Sequence, residues 1–270
     1  MTDFLPLNIV MQAKGGVGKS VTSFILAQYL RDCLTSDNCV FIDTDPKNSS
    51  FAQYKSLDVT YFNASVTNPD TGETRVDALA INAIFEEIIE LPQIIVMDTG
   101  SSNYIDLKSY LEVNETFEIF NEEEEIKRDV IIHVPITGGA DFASCCEELG
   151  LLFDTFKTVK FVVWLNHYGG KLQTSKGKEF DDLGIAKKLA SSDRFLGQVI
   201  LPQLDQNQAD AFRTMMAKHL TFDEAKLDPS SNMNILKKRQ INKLRERFYQ
   251  QLDDIFPEYA EKRAELANQK

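Results

Sequence analysis

The stretch at residues 14–20, KGGVGKS, has the glycines, lysine and serine of a loop that binds phosphate groups. The general pattern is G-x-x-x-x-G-K-[ST], and Ala13 here takes the place of its first glycine. Glycines let backbone N–H groups turn inward around phosphate oxygens, and the helix that follows presents its positive end to the same anion. The pattern predicts that Lys19 contacts the β- and γ-phosphates and that the Ser20 hydroxyl is a Mg²⁺ ligand. A glycine-rich turn without a ligand is the alternative, and neither explains the extra lysine, Lys14.

Three aspartates follow predicted strands, where magnesium chemistry would need them. Asp98 ends the apolar run IIVM and is predicted to lie near Ser20 as a carboxylate that supports the metal. Asp43 and Asp45, in FIDTDP, are two residues apart and therefore share a face while the chain stays extended. One of the two can hold a metal-bound water while the other orients an attacking water. A plain turn before Pro46 is the alternative for this pair.

Short apolar runs alternate with longer amphipathic or mixed stretches, which predicts the elements that position these residues. Near-continuous Val, Ile, Leu and Phe runs are typical of strands buried on both faces of a parallel sheet. The alternation predicts a doubly wound, mostly parallel α/β sheet with helices on both faces and a ligand at the carboxyl ends of its strands. The acidic stretch 115–129 is expected to be a solvated loop or helix face. The predicted strands are 7–13, 38–45, 59–64, 93–100, 129–136, 159–166 and 197–203, and helices are predicted at 20–34 and 75–91.

Composition limits the class of protein. The 270 residues are 43% apolar and 26% charged, which is ordinary for a globular protein. No apolar run is long enough for a membrane span, so a cytoplasmic protein without stable membrane insertion is expected. The four cysteines lack C-x-x-C spacing and are expected to be unpaired thiols. We expect a P-loop domain at residues 1–228 and a helical segment at 229–270.

The C-terminal segment contains the clearest basic cluster. Residues 232–250 hold six Lys or Arg against one Glu, and apolar residues follow 3–4–4 spacing from Ile241 to Leu252. The formal net charge of −12 argues against broad attraction to nucleic acid but leaves room for a local patch at 237–247. Three interpretations stay open: a helix packed on the domain with a solvated basic face, a DNA-binding patch, or a docking helix for a protein.

The loop and its aspartates resemble a known superfamily. KGGVGKS is similar to the deviant Walker A loop of the ParA/MinD ATPases, DTDP to their second aspartate motif, and VMDTG to their Walker B. The resemblance implies a homodimer with ATP between the subunits, in which Lys14 reaches the partner's nucleotide or folds elsewhere before dimerisation. It also implies that Asp45 orients the water and that Asp43 acts near Mg²⁺. The implied ATP-binding residues of the loop are Gly15, Gly16, Val17, Gly18, Lys19, Ser20 and Val21.

Further segments, in the same order along residues 6–250, resemble a narrower group. They are IDTDPKNSSFAQYKSL, VPITGGAD, VVWLNHYGGK, LPQL and LTFDEA, and the group is the TraL/StbB-type ATPases of conjugative and mobilisable plasmids. The resemblance to ParA-like proteins implies that Asn166, at the end of the strand in WLNHY, hydrogen-bonds adenine. Pro202 and Gln203, at the end of VILPQ, are expected to offer backbone contacts to the other edge of the base. A cap at a strand end is the alternative for Asn166. One departure is that TGSSN follows Asp98 where the wider family has a proline-containing switch.

These observations predict an ATPase switch that acts with a protein partner in plasmid transfer or partition. A nucleotide-bound adaptor with negligible hydrolysis, docking a relaxosome or secretion component, is the alternative. A kinase or synthetase is a third possibility, although no acceptor pocket is visible in the sequence. The three histidines lack metal-ligand spacing, and we expect them to be structural or surface residues.

Overall fold

The computed structural model describes residues 5–67, 69–72, 74–122, 126, 128–227, 229 and 233–268. Seven strands form one sheet in the order β3-β2-β6-β1-β7-β8-β9, and every pairing in it is parallel. A separate antiparallel hairpin joins β4 and β5. The strands are β1 (Leu7–Val10), β2 (Cys39–Asp43), β3 (Thr60–Tyr61), β4 (Ser65–Thr67), β5 (Thr74–Val76), β6 (Ile94–Asp98), β7 (Val130–Thr137), β8 (Lys160–Asn166) and β9 (Phe195–Leu201). The predicted doubly wound α/β class is confirmed.

Helices cover both faces of the sheet because alternate strand residues point to opposite sides. In β6, Ile95 and Met97 pack in one apolar cluster with α2 to α6, whereas Ile94 and Val96 pack in a second with α1 and α7 to α10. The helices are α1 (Lys19–Cys33), α2 (Ala78–Glu90), α3 (Tyr104–Val113), α4 (Thr116–Glu122), α5 (Phe142–Thr155), α6 (Gly184–Ala190), α7 (Gln206–Ala217), α8 (Phe222–Leu227), α9 (Ile235–Ile255) and α10 (Pro257–Asn268).

The register of three central strands brings the predicted aspartates to one edge. Asp98 at the end of β6 lies opposite Asp43 on β2 and opposite Val10 on β1. The glycine-rich loop leaves β1 directly after this level, next to Asp98 on β6, and Asp43 lies one strand further away on β2. The carboxyl edge of the sheet is therefore where the motifs converge, as open α/β sheets require.

Two regions differ from the sequence-based expectation. The β4–β5 hairpin and α3 were not predicted, and β3 covers only two residues of the predicted strand 59–64. The predicted helix 75–91 begins later, at Ala78, because residues 75 and 76 belong to β5. The acidic stretch is not wholly solvated, because Phe117 and Phe120 of α4 are fully buried. Residues 123–125 and 127 of that stretch lie outside the described residues.

The C-terminal helices pack on the face that holds α1. Residues Ile241, Leu244, Phe248 and Leu252 of α9 are buried, which is the face expected from the 3–4–4 spacing. Arg245 pairs with Asp32 on α1 at 2.6 Å and with Asp223 on α8 at 2.9 Å. The division at residue 228 stays a prediction. Within the described residues, none of the helices combines the length and apolar character that crossing a bilayer requires.

Candidate functional site

Two left-handed glycines shape the loop between β1 and α1. Gly16 has φ 74° and Gly18 has φ 104°, values that L side chains rarely adopt. A Cβ on Gly18 would also lie 2.9 Å from Asn166 Nδ2. Gly18 is the N-cap of α1, and no side chain caps this end. The N–H groups of the first helical turn are therefore available to an anion, as a phosphate site requires.

Lys19 starts α1 and is folded back over the loop. Its Nζ donates a hydrogen bond to the Lys14 carbonyl oxygen at 2.9 Å, and the side chain is buried. Burial lowers the pKa of Lys19, and the carboxylates of Asp98 and Asp45 oppose that shift. The ammonium group thus lies on the loop, near two carboxylates, and a bound phosphate would add negative charge that stabilises the ammonium form against the cost of burial.

Asp98 is fully buried beneath the loop. One oxygen, Oδ1, accepts a hydrogen bond from Ser23 Oγ at 2.8 Å, and no described residue partners the other, Oδ2. Burial raises the pKa of Asp98 to about 7, the Asp43 carboxylate adds to the shift, and the hydroxyls of Ser20 and Ser23 oppose it. An unpartnered carboxylate oxygen beside a serine at the start of α1 fits a hydrated Mg²⁺.

Asp43 organises the turn that follows β2. Its Oδ1 accepts from the Asp45 N–H at 2.9 Å, and its Oδ2 accepts from the Ala52 N–H at 2.9 Å. Burial raises the pKa of Asp43, and these backbone donors oppose the shift. Because both oxygens already accept backbone hydrogen bonds, the geometry favours Asp98 over Asp43 for a metal, and the metal role of Asp43 stays a prediction.

Asp45 lies two residues after Asp43, close to the glycine-rich loop. Its Oδ1 accepts from the backbone N–H of Lys47 at 2.9 Å and of Asn48 at 3.2 Å. A Cβ on Gly100 would lie 3.0 Å from that same oxygen, so glycine in TGSSN allows the segment after Asp98 to approach Asp45. Both the turn and the chemical interpretation of DTDP are therefore compatible with the structure, and the catalytic role stays a prediction.

Two cavities meet above the loop. The loop cavity, of about 520 Å³, is lined by Gly15, Gly16, Gly18, Lys19, Ser20, Val21, Asp45, Asn48, Ser50, Tyr54, Ser101, Arg213, Met216, Ala217 and His219. The apolar cavity, of about 260 Å³, is lined by Gly16, Gly18, Val21, Asn166, Tyr168, Leu201, Pro202, Leu204, Ala209, Phe212, Arg213, Met216 and Phe248. They share five lining residues, which places a polar and an apolar compartment side by side at the same loop.

Of the three residues predicted to contact adenine, two line the apolar cavity and one lines neither cavity. Asn166 lines the apolar cavity, yet its Nδ2 donates to the Val17 carbonyl oxygen at 2.9 Å and its Oδ1 accepts from the Tyr168 N–H at 3.0 Å. Its amide thus braces the loop and caps the turn after β8. Pro202 lines the same cavity, whereas Gln203 is exposed and belongs to neither lining. Adenine binding by these residues stays a prediction.

Lys14 points away from both cavities. Its Nζ lies 3.4 Å from Asp141 Oδ1, next to the start of α5, and both side chains are about half exposed. Such a pair is worth about 0–1 kcal/mol, so little holds the lysine in this position. In the single chain the lysine is thus folded elsewhere, one of the two positions that the resemblance allows.

Helix α7 supplies lining residues that sequence reasoning missed. Ala209, Phe212 and Met216 follow a 3–4 spacing that puts them on one face, together with Arg213. That spacing is a usable signal for a buried face, but only the fold shows that the face covers the glycine-rich loop. Tyr54 was also missed, and its hydroxyl donates to Met216 Sδ at 3.2 Å across the loop cavity.

The whole chain was compared with known proteins. No profile of a known protein family matches it. It is 30% identical over 249 residues to a protein TraL of Escherichia coli, covering 92% of this chain and 97% of that one. A second Escherichia coli TraL is 29% identical over 250 residues, with the same coverage.

Solved structures resemble the chain more distantly. MinD, a cell division protein of Aquifex aeolicus, has 14% identity and a TM-score of 0.43, over 90% of this chain and 95% of that one. A nucleotide-binding protein in complex with ADP from Archaeoglobus fulgidus has 15% identity and a TM-score of 0.40, over 85% and 91%. At these scores the likeness adds nothing to the topology seen directly in the sheet.

The parallel sheet and the loop at its carboxyl edge define an α/β protein of the P-loop NTPase type. The match along nearly the full length of both chains then identifies the particular group. The chain belongs to the TraL family.

Proposed function

We propose that the protein is an ATP-binding and ATP-hydrolysing switch that acts in plasmid conjugal transfer, mobilisation or stability. The observation that carries the proposal is the loop itself: two left-handed glycines, an uncapped α1 and a buried Lys19 beside Asp98. The plasmid context comes from the TraL relatives, whose name denotes conjugal transfer.

The two compartments match the two ends of a nucleotide. The loop cavity offers the N–H groups of α1 and the cation of Lys19, which suit the phosphates. The apolar cavity offers Leu201, Pro202 and Phe212 to a flat, largely apolar base. Asp45 lines the phosphate side, where its carboxylate would orient the attacking water.

Mg²⁺ fits beside Asp98 and Ser20. The unpartnered, buried Asp98 Oδ2 could receive a metal-bound water, and the Ser20 side chain lines the loop cavity. Among the described residues no group of three His, Cys, Asp or Glu side chains is placed to hold a metal, so phosphate oxygens and water would have to supply most ligands of the ion. When bound, Mg²⁺ supplies charge neutralisation at the phosphates.

In a dimer, Lys14 would contact the triphosphate bound by the partner subunit. Its half-exposed ion pair with Asp141 is weak, whereas a triphosphate in a closed interface is a much stronger partner for the same ammonium group. An ATP-bound dimer would therefore gain a contact that the ADP-bound protein lacks. Hydrolysis would remove that gain and release the partner subunit.

The C-terminal basic cluster is smaller than the sequence suggests. Lys237 pairs with Asp210 at 2.8 Å, and Arg245 is held by two aspartates. Arg239, Lys243 and Arg247 are exposed at spacings of four, so they form one stripe along α9. This stripe is the part of the 237–247 patch that a DNA backbone or an acidic protein partner would meet.

Phosphate release with purified protein tests the proposal. The wild type is incubated with Mg²⁺ and ATP without any added metabolite, next to Lys19→Ala, Asp45→Ala and the distant, exposed Lys187→Ala. We expect slow phosphate release by the wild type and Lys187→Ala and no release by Lys19→Ala or Asp45→Ala. The last two differ in a binding assay, in which Asp45→Ala should bind the nucleotide and Lys19→Ala should not. Binding without turnover by the wild type, with and without plasmid transfer proteins, would favour the adaptor instead.

A further inference from the structure

Arg213 on α7 occupies the junction of the two cavities. It is the only charged residue that the described linings of both cavities share. Lys19 and Asp45 line only the loop cavity, and Pro202 and Phe212 line only the apolar one. A ligand that filled both compartments would therefore pass Arg213 between its apolar and its anionic end.

Arg213 belongs to no hydrogen bond or ion pair in the part of the chain that the structure describes. Its side chain is exposed, and the Asp210 carboxylate attracts it without forming an ion pair with it. Its nearest acidic neighbour along α7, Asp210, is instead paired with Lys237 at 2.8 Å. Lys19, in contrast, lies close to the carboxylates of Asp98 and Asp45. Arg213 thus remains as a cation whose natural partner would be an anion in the cavity.

We propose that Arg213 binds the phosphates of the nucleotide from the α7 side, opposite Lys19. The inference rests on the proposed function, since it assigns a new contact within that nucleotide site. A guanidinium offers five donors in a planar fork that matches phosphate oxygens, and it stays charged at any physiological pH. The contact would lie on the phosphate group nearest the ribose, because that group passes the junction of the cavities.

Such a contact would link the nucleotide to the C-terminal helices. Helix α7 is itself tied to α9 through Asp210 and Thr214, which both contact Lys237, and through Phe212, whose ring lies 6.3 Å from that of Phe248. A phosphate bound by Arg213 would therefore be held by a helix that is itself anchored to α9. Filling the site then fixes α7 between the nucleotide and the C-terminal segment.

Calorimetric titration with MgATP and MgADP tests the proposal on the full chain. Arg213→Ala is compared with the wild type, with Arg213→Lys and with Arg247→Ala, which removes the same exposed charge outside both cavities. We expect Arg213→Ala to weaken both nucleotides about tenfold or more, Arg213→Lys to recover part of the loss, and Arg247→Ala to bind like the wild type. Thermal unfolding of each variant checks that the fold is retained.

The proposal is overturned if Arg213→Ala binds ATP within about twofold of the wild type. It is equally overturned if Arg247→Ala loses as much affinity, because the effect would then be one of net charge. If the wild type binds neither MgATP nor MgADP, both the proposed function and this inference are contradicted. The first two outcomes leave nucleotide binding by the protein intact and remove only the role of Arg213.

Discussion

His133 should make the protein sensitive to mild acid. The imidazole is fully buried in β7, where its Nε2 contacts Asn8 Oδ1 at 3.0 Å and its Nδ1 accepts from Trp164 Nε1 at 3.0 Å. Nε2 therefore carries the proton and the ring is neutral. Burial lowers the pKa of His133 to about 3, from an ordinary value of 6.5. The ring is surrounded by Asn8, Trp164 and Phe256, none of which can compensate a charge.

The sign and size of the effect follow from that pKa. The folded pKa is below the unfolded one, so the unfolded chain binds the proton first and stability is lost as the pH falls below about 6.5. With pKa values of about 3 and 6.5, this one group lowers the free energy of unfolding by about 2 kcal/mol between pH 7 and pH 5.

Urea unfolding at pH 7 and pH 5 measures this contribution. In His133→Gln the amide can still accept from Trp164 and donate to Asn8, but it does not titrate. The variant should be less stable at pH 7, because packing is lost, and should lose about 2 kcal/mol less than the wild type on acidification. His167→Gln, at a partly exposed position, should retain the wild-type pH dependence. Equal losses in the wild type and His133→Gln would refute the reasoning.

Two further predictions concern the loop and the C-terminal helices. Gly18→Ala should abolish ATP binding in a titration and destabilise the protein by about 1–3 kcal/mol. The new Cβ would lie too close to Asn166, and residue 18 would have to keep a φ of 104°, which is strained for alanine. Gly177→Ala, at φ 75° with no atom within 4 Å of its Cβ, should bind ATP normally, and loss of binding there too would contradict this account. Arg245→Ala should lower the free energy of unfolding in urea by about 1–3 kcal/mol, because Asp32 and Asp223 lose their shared partner and the Asp32 carboxylate is mostly buried. The exposed Arg239→Ala should change it by less than about 0.5 kcal/mol, and equal effects would show that the Arg245 cluster does not stabilise the fold.

Local patterns were sufficient for the elements that form the site. Buried parallel strands read as continuous apolar runs, so β6 and β8 were predicted nearly to their ends. The loop was recognisable because backbone geometry at Gly16 and Gly18 restricts the residue type. Since both aspartate motifs end strands of one sheet, their convergence followed from the fold class alone.

Contacts between distant segments were not predictable in the same way. Nothing near Lys14 indicates that it pairs with Asp141, and nothing near Asn166 indicates that its Nδ2 bonds to the Val17 carbonyl oxygen. The β4–β5 hairpin was missed because it lacks a continuous buried run: Val66, at its centre, is 54% exposed. Arg213 carries no local signature, and its position depends on where α7 packs.

Solution mass by light scattering tests the ATP-dependent switch most directly. Asp45→Ala should bind ATP but hydrolyse it poorly, so the dimer should accumulate with Mg²⁺ and ATP and return to monomer with ADP. Adding Lys14→Ala should abolish the dimer, because no lysine would then be present to leave Asp141 and reach the partner's nucleotide. The same mass with ATP and ADP would contradict the switch, leave Lys14 as a residue of its own loop, and favour a nucleotide-bound adaptor.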